Sequence, residues 1–138
     1  MKNNTDEKMK AVICEKYGSI DHLKVKKVNK PIPKPNEVLI KIYSTTVTSG
    51  DAKLRSANFP LLFWLPMRLA MGFGKPRNAI LGSELVGKIE KIGNNVTKFK
   101  KGDIVFGSAG TGLGAHAEYI CLQENAVLIK NTHSSHPY

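Results

Sequence analysis

The sequence predicts a mainly β domain, built as a small barrel or a sandwich with short helices. Several short segments alternate apolar and polar residues with a period of two, which is the pattern of a half-buried strand; the clearest are residues 23–28, 37–44 and 85–92. Turns rich in glycine and asparagine separate such segments, as at Gly93-Asn94-Asn95. A chain of 138 residues can bury the core of one such domain without disulfides or a metal ion.

The remaining local patterns complete a mostly extended chain. Further strands are predicted over residues 9–14, 104–107, 117–122 and 126–129. Residues 30–35 alternate proline with other residues and form an extended connector, because proline lacks the backbone donor that a central strand needs. One short helix is predicted over residues 49–57, with Ser49 as its N-cap.

The chain carries a formal net charge of +10, from 21 lysines and arginines against 11 acidic residues. The basic residues are spread along the sequence, and several alternate with apolar residues, as on the wet face of a half-buried sheet. Aromatic residues are not interleaved with them in the way that stacks bases. We therefore favour a solvated basic surface and expect no nucleic-acid partner; contact with the phosphates of a cofactor or of a nucleic acid is the alternative.

The two cysteines, Cys14 and Cys121, each lie in an apolar run that predicts a strand. They do not make the disulfide framework of a small secreted domain, and residues 1–8 are polar and unlike a signal peptide, so we expect a cytoplasmic protein. We expect residues 1–8 to be a disordered leader and residues 131–138 a flexible tail, with the domain over residues 9–130. The two histidines of the tail are not expected to bind a metal.

One segment breaks the pattern, the apolar stretch FPLLFWLPMRLAMGF at residues 59–73. It is too short to cross a bilayer and lacks the basic face of a membrane-surface helix. We predict a loop with a helical turn that covers the core. The alternatives are a lid over an apolar ligand site and a docking surface for another domain or subunit. The side chains that would form such a lid or interface are Phe59, Phe63, Trp64, Met67 and Phe73.

Several motifs follow one another along the chain. They are PNEVLIKI at residues 35–42, LGSELVGKIEKIGNNV at 81–96, FKKGDIVFG at 99–107 and AHAEY at 115–119. In this order and spacing the chain resembles the medium-chain dehydrogenase/reductase superfamily over about residues 10–130. The resemblance implies a GroES-like, partly open β-barrel that supplies substrate contacts. It also implies a Rossmann domain packed against the barrel, with a nicotinamide cofactor in the cleft between them.

The resemblance allows the metal ligands of zinc-dependent members to be checked. The cysteine that ligates the catalytic zinc falls on Thr48, three residues before Asp51, and the histidine of the "GHE" motif falls on Ser83. A neutral hydroxyl is a poor zinc ligand beside a thiolate or an imidazole. The cluster of four cysteines that binds a structural zinc is also missing after residue 107. The sequence therefore predicts no zinc at either site.

These departures resemble the zinc-independent quinone oxidoreductase branch, which includes the zeta-crystallins. In the loop pattern N-x-x-D-x-Y-x-R of that branch, Asp51 and Arg55 match, while Thr48 and Lys53 replace the asparagine and the tyrosine. The resemblance implies reduction of a quinone, an enone or another carbonyl compound with NADPH or NADH. Such a reaction needs a donor for the developing enolate oxygen, and Lys53 and the Thr48 hydroxyl are the candidates. The alternative is that Asp51 braces the loop and Lys53 is solvated.

Glu84 has two interpretations. The resemblance places it near the floor of the cleft, where a buried carboxylate needs a partner. We favour a structural ion pair with Arg55 over a role in catalysis. The candidate residues of the cleft are Thr48, Asp51, Lys53, Ser83 and Glu84.

The segment GTGLGA at residues 110–115 fits the dinucleotide pattern G-x-G-x-x-A. We interpret it as a glycine-rich hairpin loop, because residues 116–122 predict a strand and no βαβ unit follows. We therefore expect a truncated chain without a Rossmann domain, inactive alone. The alternatives for the chain itself are the domain of a reductase and a non-enzymatic interaction module that docks through residues 59–73. Self-association into a homo-oligomer is compatible with both.

Overall fold

The computed structural model describes residues 6–57, 59–126 and 128–131, and strands dominate this part of the chain. The strands are β1 (Lys8–Cys14), β2 (Leu23–Asn29), β3 (Glu37–Thr45), β4 (Glu84–Ile92), β5 (Ile104–Ser108), β6 (Tyr119–Gln123) and β7 (Leu128–Lys130). The helices are α1 (Ser49–Ser56) and α2 (Leu61–Met71), and 3₁₀ turns occupy Ile20–His22 and Gly110–Gly112. The mainly β prediction is confirmed.

The strands form two antiparallel sheets. β1 and β2 pair along their whole length, and the other five strands lie in the order β6-β3-β4-β5-β7. Single bridges, Ala11 to Ala117 and Ile13 to Ile80, connect β1 with segments that flank the larger sheet. The two sheets and the loops between them form the partly open barrel that the sequence resemblance implied.

Alternation along the strands decides which side chains enter the core. In β4, Leu85, Gly87 and Ile89 are buried, and the residues between them are exposed. Each fully buried valine, leucine or isoleucine contributes about 1.5–3 kcal/mol to folding. The buried cluster consists of Val38, Ile40, Leu85, Ile89, Val105, Ala115 and Ile120.

Gly87 is needed where β4 runs against β3. A Cβ atom at this position would lie 2.3 Å from the carbonyl oxygen of Lys41 and 2.6 Å from the side chain of Ile40. Neither neighbour can withdraw, because both belong to the paired strand. Gly87, the second glycine of the motif at residues 81–96, is therefore required for β3 and β4 to pack against each other.

Lys30, the residue after β2, ties the two sheets together. Its Nζ lies 3.0 Å from the Glu7 carboxylate and 2.9 Å from the Glu90 carboxylate. It also lies 4.1 Å from the ring centroid of Tyr119, within reach of a cation–π interaction. Burial works against the ammonium charge, but the two carboxylates outweigh burial and hold the pKa of Lys30 above its ordinary value.

Helix α1 begins at a capping box. The Thr48 hydroxyl accepts a hydrogen bond from the backbone N–H of Asp51 at 3.2 Å, and the Asp51 carboxylate accepts one from the backbone N–H of Thr48 at 2.8 Å. The helix prediction is confirmed, but the N-cap is Thr48; Ser49 is the first helical residue. The helix ends at Ser56, and its C-cap residue Ala57 adopts the left-handed conformation with φ of 51°.

Helix α2 departs from the prediction of a core-covering loop. None of its residues is buried. The Arg68 guanidinium anchors it by lying 4.4 Å from the ring centroid of Tyr17, and within the helix it lies 5.5 Å from that of Trp64. The Tyr17 hydroxyl also donates to the carbonyl of Met71 at 3.0 Å. The prediction was wrong because apolar composition leads to burial only where the helix faces another surface.

The glycine-rich segment at residues 110–115 forms a 3₁₀ turn and a loop that leads from β5 to β6. It is not a hairpin loop, because β3 and β4 separate these two strands in the larger sheet. It is also followed by strand β6 and not by the helix of a dinucleotide-binding unit. The hairpin prediction was wrong, since local sequence does not reveal which strands become neighbours.

The predicted leader and tail lie mostly outside the described residues. Of the leader, residues 6–8 are described, and Lys8 already belongs to β1. Of the tail, only Asn131 is described. Among the described helices, neither has the length and apolar character needed to span a membrane.

Candidate functional site

The candidate site lies where β3 ends and β4 begins. The strands are antiparallel, and Thr45 pairs with Leu85 at this edge of the sheet. Residues that follow Thr45 therefore run beside residues that precede Leu85. Thr48 follows the end of β3 by three residues, and Ser83 immediately precedes β4.

Hydroxyl groups at the end of β3 hold Glu84. The Thr46 hydroxyl donates to its carboxylate at 2.7 Å, and the Thr45 hydroxyl donates to its backbone carbonyl at 2.7 Å. Glu84 is exposed, because the alternation of β4 places it on the outer face. Arg55 donates instead to the carbonyl of Gly18. The predicted ion pair between Glu84 and Arg55 is therefore wrong.

Asp51 braces the loop that precedes α1. It is only 4% exposed, and its Oδ2 accepts hydrogen bonds from the Thr48 backbone N–H at 2.8 Å and from the Thr48 hydroxyl at 3.0 Å. Its Oδ1 is buried and has no hydrogen-bond partner in the described part of the chain. These contacts support the alternative that Asp51 holds the loop rather than reacts.

Lys53 lies on the exposed side of α1. Its backbone carbonyl accepts from the Ala57 N–H at 2.9 Å and from the Ser56 hydroxyl at 3.1 Å, so its place in the helix is fixed. No other described residue forms a hydrogen bond or an ion pair with its ammonium group. These observations fit the alternative that Lys53 is solvated, and they leave its ammonium without a partner among the described residues.

Ser83 is held by its backbone and is half-buried. Its carbonyl accepts from the Ala109 N–H at 2.6 Å, and the carbonyl of Gly82 accepts from the Ala115 N–H at 3.1 Å. Gly82 has a φ of 95°, and a Cβ there would lie 2.5 Å from the His116 ring. Only glycine can precede Ser83 in this conformation.

Two residues of this edge were missed by the sequence analysis. Thr46 binds Glu84, and the Nε2 atom of His116 lies 3.1 Å from the carbonyl oxygen of Thr46. The run of hydroxyl residues Ser44, Thr45 and Thr46 was a readable signal for a polar strand end. The contact of His116 joins residues 70 positions apart and leaves no local pattern.

Two cavities adjoin the site. One of about 340 Å³ is lined by Glu84 and Thr46 together with residues of β5. Another of about 510 Å³ is lined by residues of β1, β2 and α1, among them Asp51 and Arg55, together with His116 and its neighbours. Thr48, Ser83 and Lys53 line neither of these two. Of the five predicted residues, Asp51 thus lines the larger cavity and Glu84 the smaller, and neither of these two cavities contains both.

The residues at the two zinc-ligand positions do not fit a zinc ion. The Thr48 hydroxyl already donates to the Asp51 carboxylate and accepts from the Asp51 backbone. Ser83 offers a neutral hydroxyl, which binds zinc poorly. Within the ranges that the structure describes, no group of three or more histidine, cysteine, aspartate or glutamate side chains is arranged to hold a metal.

Curated relatives share most of this chain. It is 31% identical over 131 residues to the mitochondrial NAD(P)H oxidoreductase RTN4IP1 of Dictyostelium discoideum, covering 93% of this chain and 35% of that protein. It is 34% identical over 123 residues to the quinone oxidoreductase of Homo sapiens, covering 86% and 32%. The chain therefore spans about a third of the length of these relatives.

Solved structures share the fold. The quinone oxidoreductase from Coxiella burnetii superposes with a TM-score of 0.76 at 24% identity, over 92% of this chain and 38% of that one. A quinone oxidoreductase from Pseudomonas syringae pv. tomato gives a TM-score of 0.72 at 28% identity, over 91% and 34%. The resemblance to the medium-chain dehydrogenase/reductase superfamily is confirmed.

A family profile matches the chain directly. The alcohol dehydrogenase GroES-like domain matches residues 34–132, more than half of the sequence. This match includes β3, α1 and β4, which carry the candidate site. The chain therefore belongs to the alcohol dehydrogenase GroES-like domain family.

Proposed function

We propose that the chain is the substrate-side domain of a zinc-independent, NAD(P)H-dependent reductase that acts on a quinone, an enone or another carbonyl compound. The proposal rests mainly on which residues occupy the two positions that hold zinc ligands in zinc-dependent members. One is a threonine whose hydroxyl is engaged in the cap of α1, and the other is a serine. Both relatives described above are named as oxidoreductases, one for NAD(P)H and one for quinone.

The residues of this chain would bind and orient the substrate. When bound, a nicotinamide supplies the hydride. The reduced carbonyl compound then develops negative charge on its oxygen, which needs a positioned donor. Lys53 is the best candidate, because its ammonium is exposed and free of partners among the described residues. Thr48 and Asp51 act as positioning residues, since their hydrogen bonds fix the start of the helix that carries Lys53.

The described residues form no βαβ unit that would hold the cofactor's pyrophosphate. Every strand pairing among the described residues is antiparallel. A dinucleotide-binding unit requires parallel strands joined by a helix whose N-terminus holds the pyrophosphate. Turnover therefore requires a nucleotide-binding domain beside this one.

A chimeric enzyme tests the proposal. Residues 1–130 replace the matching third of the human quinone oxidoreductase, and NADPH oxidation is measured with a panel of quinones and enones. We expect turnover, and we expect its rate to stay the same when EDTA is added. The variant Lys53→Met should lower kcat by about 10-fold or more, as expected for loss of an oxyanion donor, and Lys53→Arg should retain most of it. A folded chimera that binds NADPH but reduces none of these compounds, or that needs zinc, would contradict the proposal.

A second candidate is a non-enzymatic interaction module. The observation that favours it is α2, whose leucines and Phe63 lie exposed. If the chain is an interaction module, it should bind a protein partner equally well with and without the Lys53 side chain. The two candidates differ in the chimera, because only the first predicts turnover.

The remaining expectations stay predictions. A cytoplasmic location follows from the cysteine pattern, while one relative is described as mitochondrial. Import of a fluorescent fusion of the chain into isolated mitochondria would contradict the cytoplasmic prediction. The absence of a nucleic-acid partner is tested by the mobility of labelled RNA and DNA at physiological salt.

A further inference from the structure

The larger cavity, of about 510 Å³, lies against the face of α1 that carries Asp51, Ala52 and Arg55. At about 100° per residue, these three side chains leave the helix within about 100° of one another. Lys53 lies about 160° around the helix from both Asp51 and Arg55, and it does not line this cavity. The cavity is therefore separate from the ammonium group that we propose for the reduction.

Apolar side chains make up most of the wall of this cavity. Among them are Val12 of β1, Leu23 and Val25 of β2, and the loop residues Val47 and Leu81. Val47 is 80% exposed and Val25 is 70% exposed, so an apolar ligand would remove apolar surface from water. The volume falls within the range of about 300–1,000 Å³ that is typical of small-molecule sites.

The wall also contains a buried carboxylate oxygen without a partner. Asp51 is 4% exposed, and its Oδ2 accepts both hydrogen bonds from Thr48. Its Oδ1 accepts none from the described residues. A buried carboxylate oxygen that lacks a hydrogen bond is costly, so a donor is expected beside it. Oδ1 is thus the atom to which a ligand in the cavity would donate.

The charged residues of the wall favour a neutral ligand. Lys10 and Arg55 are basic. Asp51 and Glu118 are acidic, so the formal charges of the wall cancel. In the part of the chain that the structure describes, no ion pair joins Asp51 to Arg55, which donates to the carbonyl of Gly18 instead. A cationic ligand would meet the guanidinium, and an anionic ligand would meet the carboxylate, and both contacts are repulsive.

We propose that this cavity binds a neutral, apolar alcohol or phenol. The hydroxyl of the ligand donates to Asp51 Oδ1, and its rings pack against Val12, Val25 and Val47. Binding at this site needs neither Lys53 nor a nucleotide-binding domain. The inference can therefore fail while the proposed function stands, and the reverse also holds.

Titration of the isotope-labelled 138-residue chain by two-dimensional NMR tests this inference. The probes are 1-tetralol, 1-tetralone and tetralin, which share one bicyclic frame and carry a hydroxyl, a carbonyl and no polar group. We expect 1-tetralol to shift the amide signals of Val25 and Ala52. It should bind at least about 10-fold more tightly than the other two, because only a hydroxyl can donate to a carboxylate. Equal affinity for the three probes, or shifts confined to residues outside the cavity, would overturn the inference.

The variant Asp51→Asn tests the role of Oδ1. The amide oxygen can accept the hydrogen bonds from Thr48, which places an N–H donor where Oδ1 stands in the wild type. The variant should therefore lose the preference for 1-tetralol over 1-tetralone. If Asp51 only holds the loop, both affinities should fall in the same proportion and leave the preference unchanged, which would contradict the inference.

Filling the cavity provides a second test that leaves Asp51 in place. Val25→Trp should weaken the binding of 1-tetralol at least 10-fold, because the larger side chain occupies the site. Ile92→Trp is the matched control, since Ile92 is 39% exposed and lines none of the three described cavities. Circular dichroism should show an unchanged fold for both variants. Equal binding by the two variants would overturn the inference. So would loss of binding in a folded chimera, because the rest of the polypeptide would then fill the cavity.

Discussion

Thr48 decides whether the loop at the candidate site is held in place. Its hydroxyl both accepts from the Asp51 backbone and donates to the Asp51 carboxylate. The substitution Thr48→Ala removes both hydrogen bonds and leaves the carboxylate with one donor, the Thr48 backbone N–H. We expect this change to lower the free energy of unfolding more than substitution of the neighbouring Ser49 does.

The magnitude follows from the two lost hydrogen bonds. Replacement of a threonine N-cap by alanine costs about 1 kcal/mol, with values up to about 2 kcal/mol. The lost hydrogen bond to the buried Asp51 carboxylate adds to the cost of losing the N-cap, because hydrogen bonds to charged groups are worth about 1.5–3 kcal/mol. Thr48 is half-buried, so a hydrogen bond from water recovers part of this energy in the variant. We expect a total of about 2 kcal/mol, which in a chain of this size lowers Tm by roughly 8 °C.

Urea unfolding of the 138-residue chain, followed by circular dichroism, measures this effect. Thr48→Ser keeps the hydroxyl and should stay within about 0.5 kcal/mol of the wild type. Ser49→Ala is the second control, since Ser49 is the first helical residue and its substitution should also fall within about 0.5 kcal/mol. The reasoning is refuted if Thr48→Ala matches the wild type, or if Ser49→Ala costs as much as Thr48→Ala.

Three further predictions concern the barrel. Lys30→Met should lower the free energy of unfolding by about 2 kcal/mol in urea, because it leaves two carboxylates without their cation. Since the folded pKa of Lys30 is raised, its contribution is fully present below about pH 10 and fades as the pH rises through the folded value. Burial raises the pKa of the Cys14 thiol, and burial together with Glu37 raises that of Cys121 to about 12. Both thiols should therefore react with DTNB at pH 8 at least 10-fold more slowly in the folded chain than in guanidinium chloride. Gly87→Ala should cost about 3 kcal/mol or abolish soluble expression, whereas Gly112→Ala, which meets no atom within 4 Å and is not at a positive φ, should cost less; equal losses would contradict the packing argument.

The sheet could be predicted from the sequence because alternation is a local signal. The segments at residues 37–44 and 85–92 alternate, and the structure contains β3 and β4 over nearly the same residues. The same alternation also predicts an exposed Glu84, since Leu85 faces the core and neighbouring residues of a strand face opposite ways. The family resemblance had suggested a buried carboxylate there, and the local pattern was the better guide.

The remaining features depend on contacts that local sequence does not specify. Thr48 and Ser49 are both good N-cap residues, and only the extended backbone of Thr48, with φ of −94° and ψ of 162°, distinguishes them. The approach of His116 to Thr46 depends on the fold between them. The exposure of α2 was not predicted, because composition does not show whether an apolar helix faces another surface.

The rate of NADPH oxidation in the presence of a quinone tests the central claim most directly. It is measured under identical conditions for the 138-residue chain alone and for the chimera that joins residues 1–130 to a nucleotide-binding domain. We predict turnover by the chimera and none above background by the chain alone, because the described strands pair only in antiparallel fashion and offer no pyrophosphate site. Turnover by the chain alone, or its absence from a folded chimera that binds NADPH, would contradict the account.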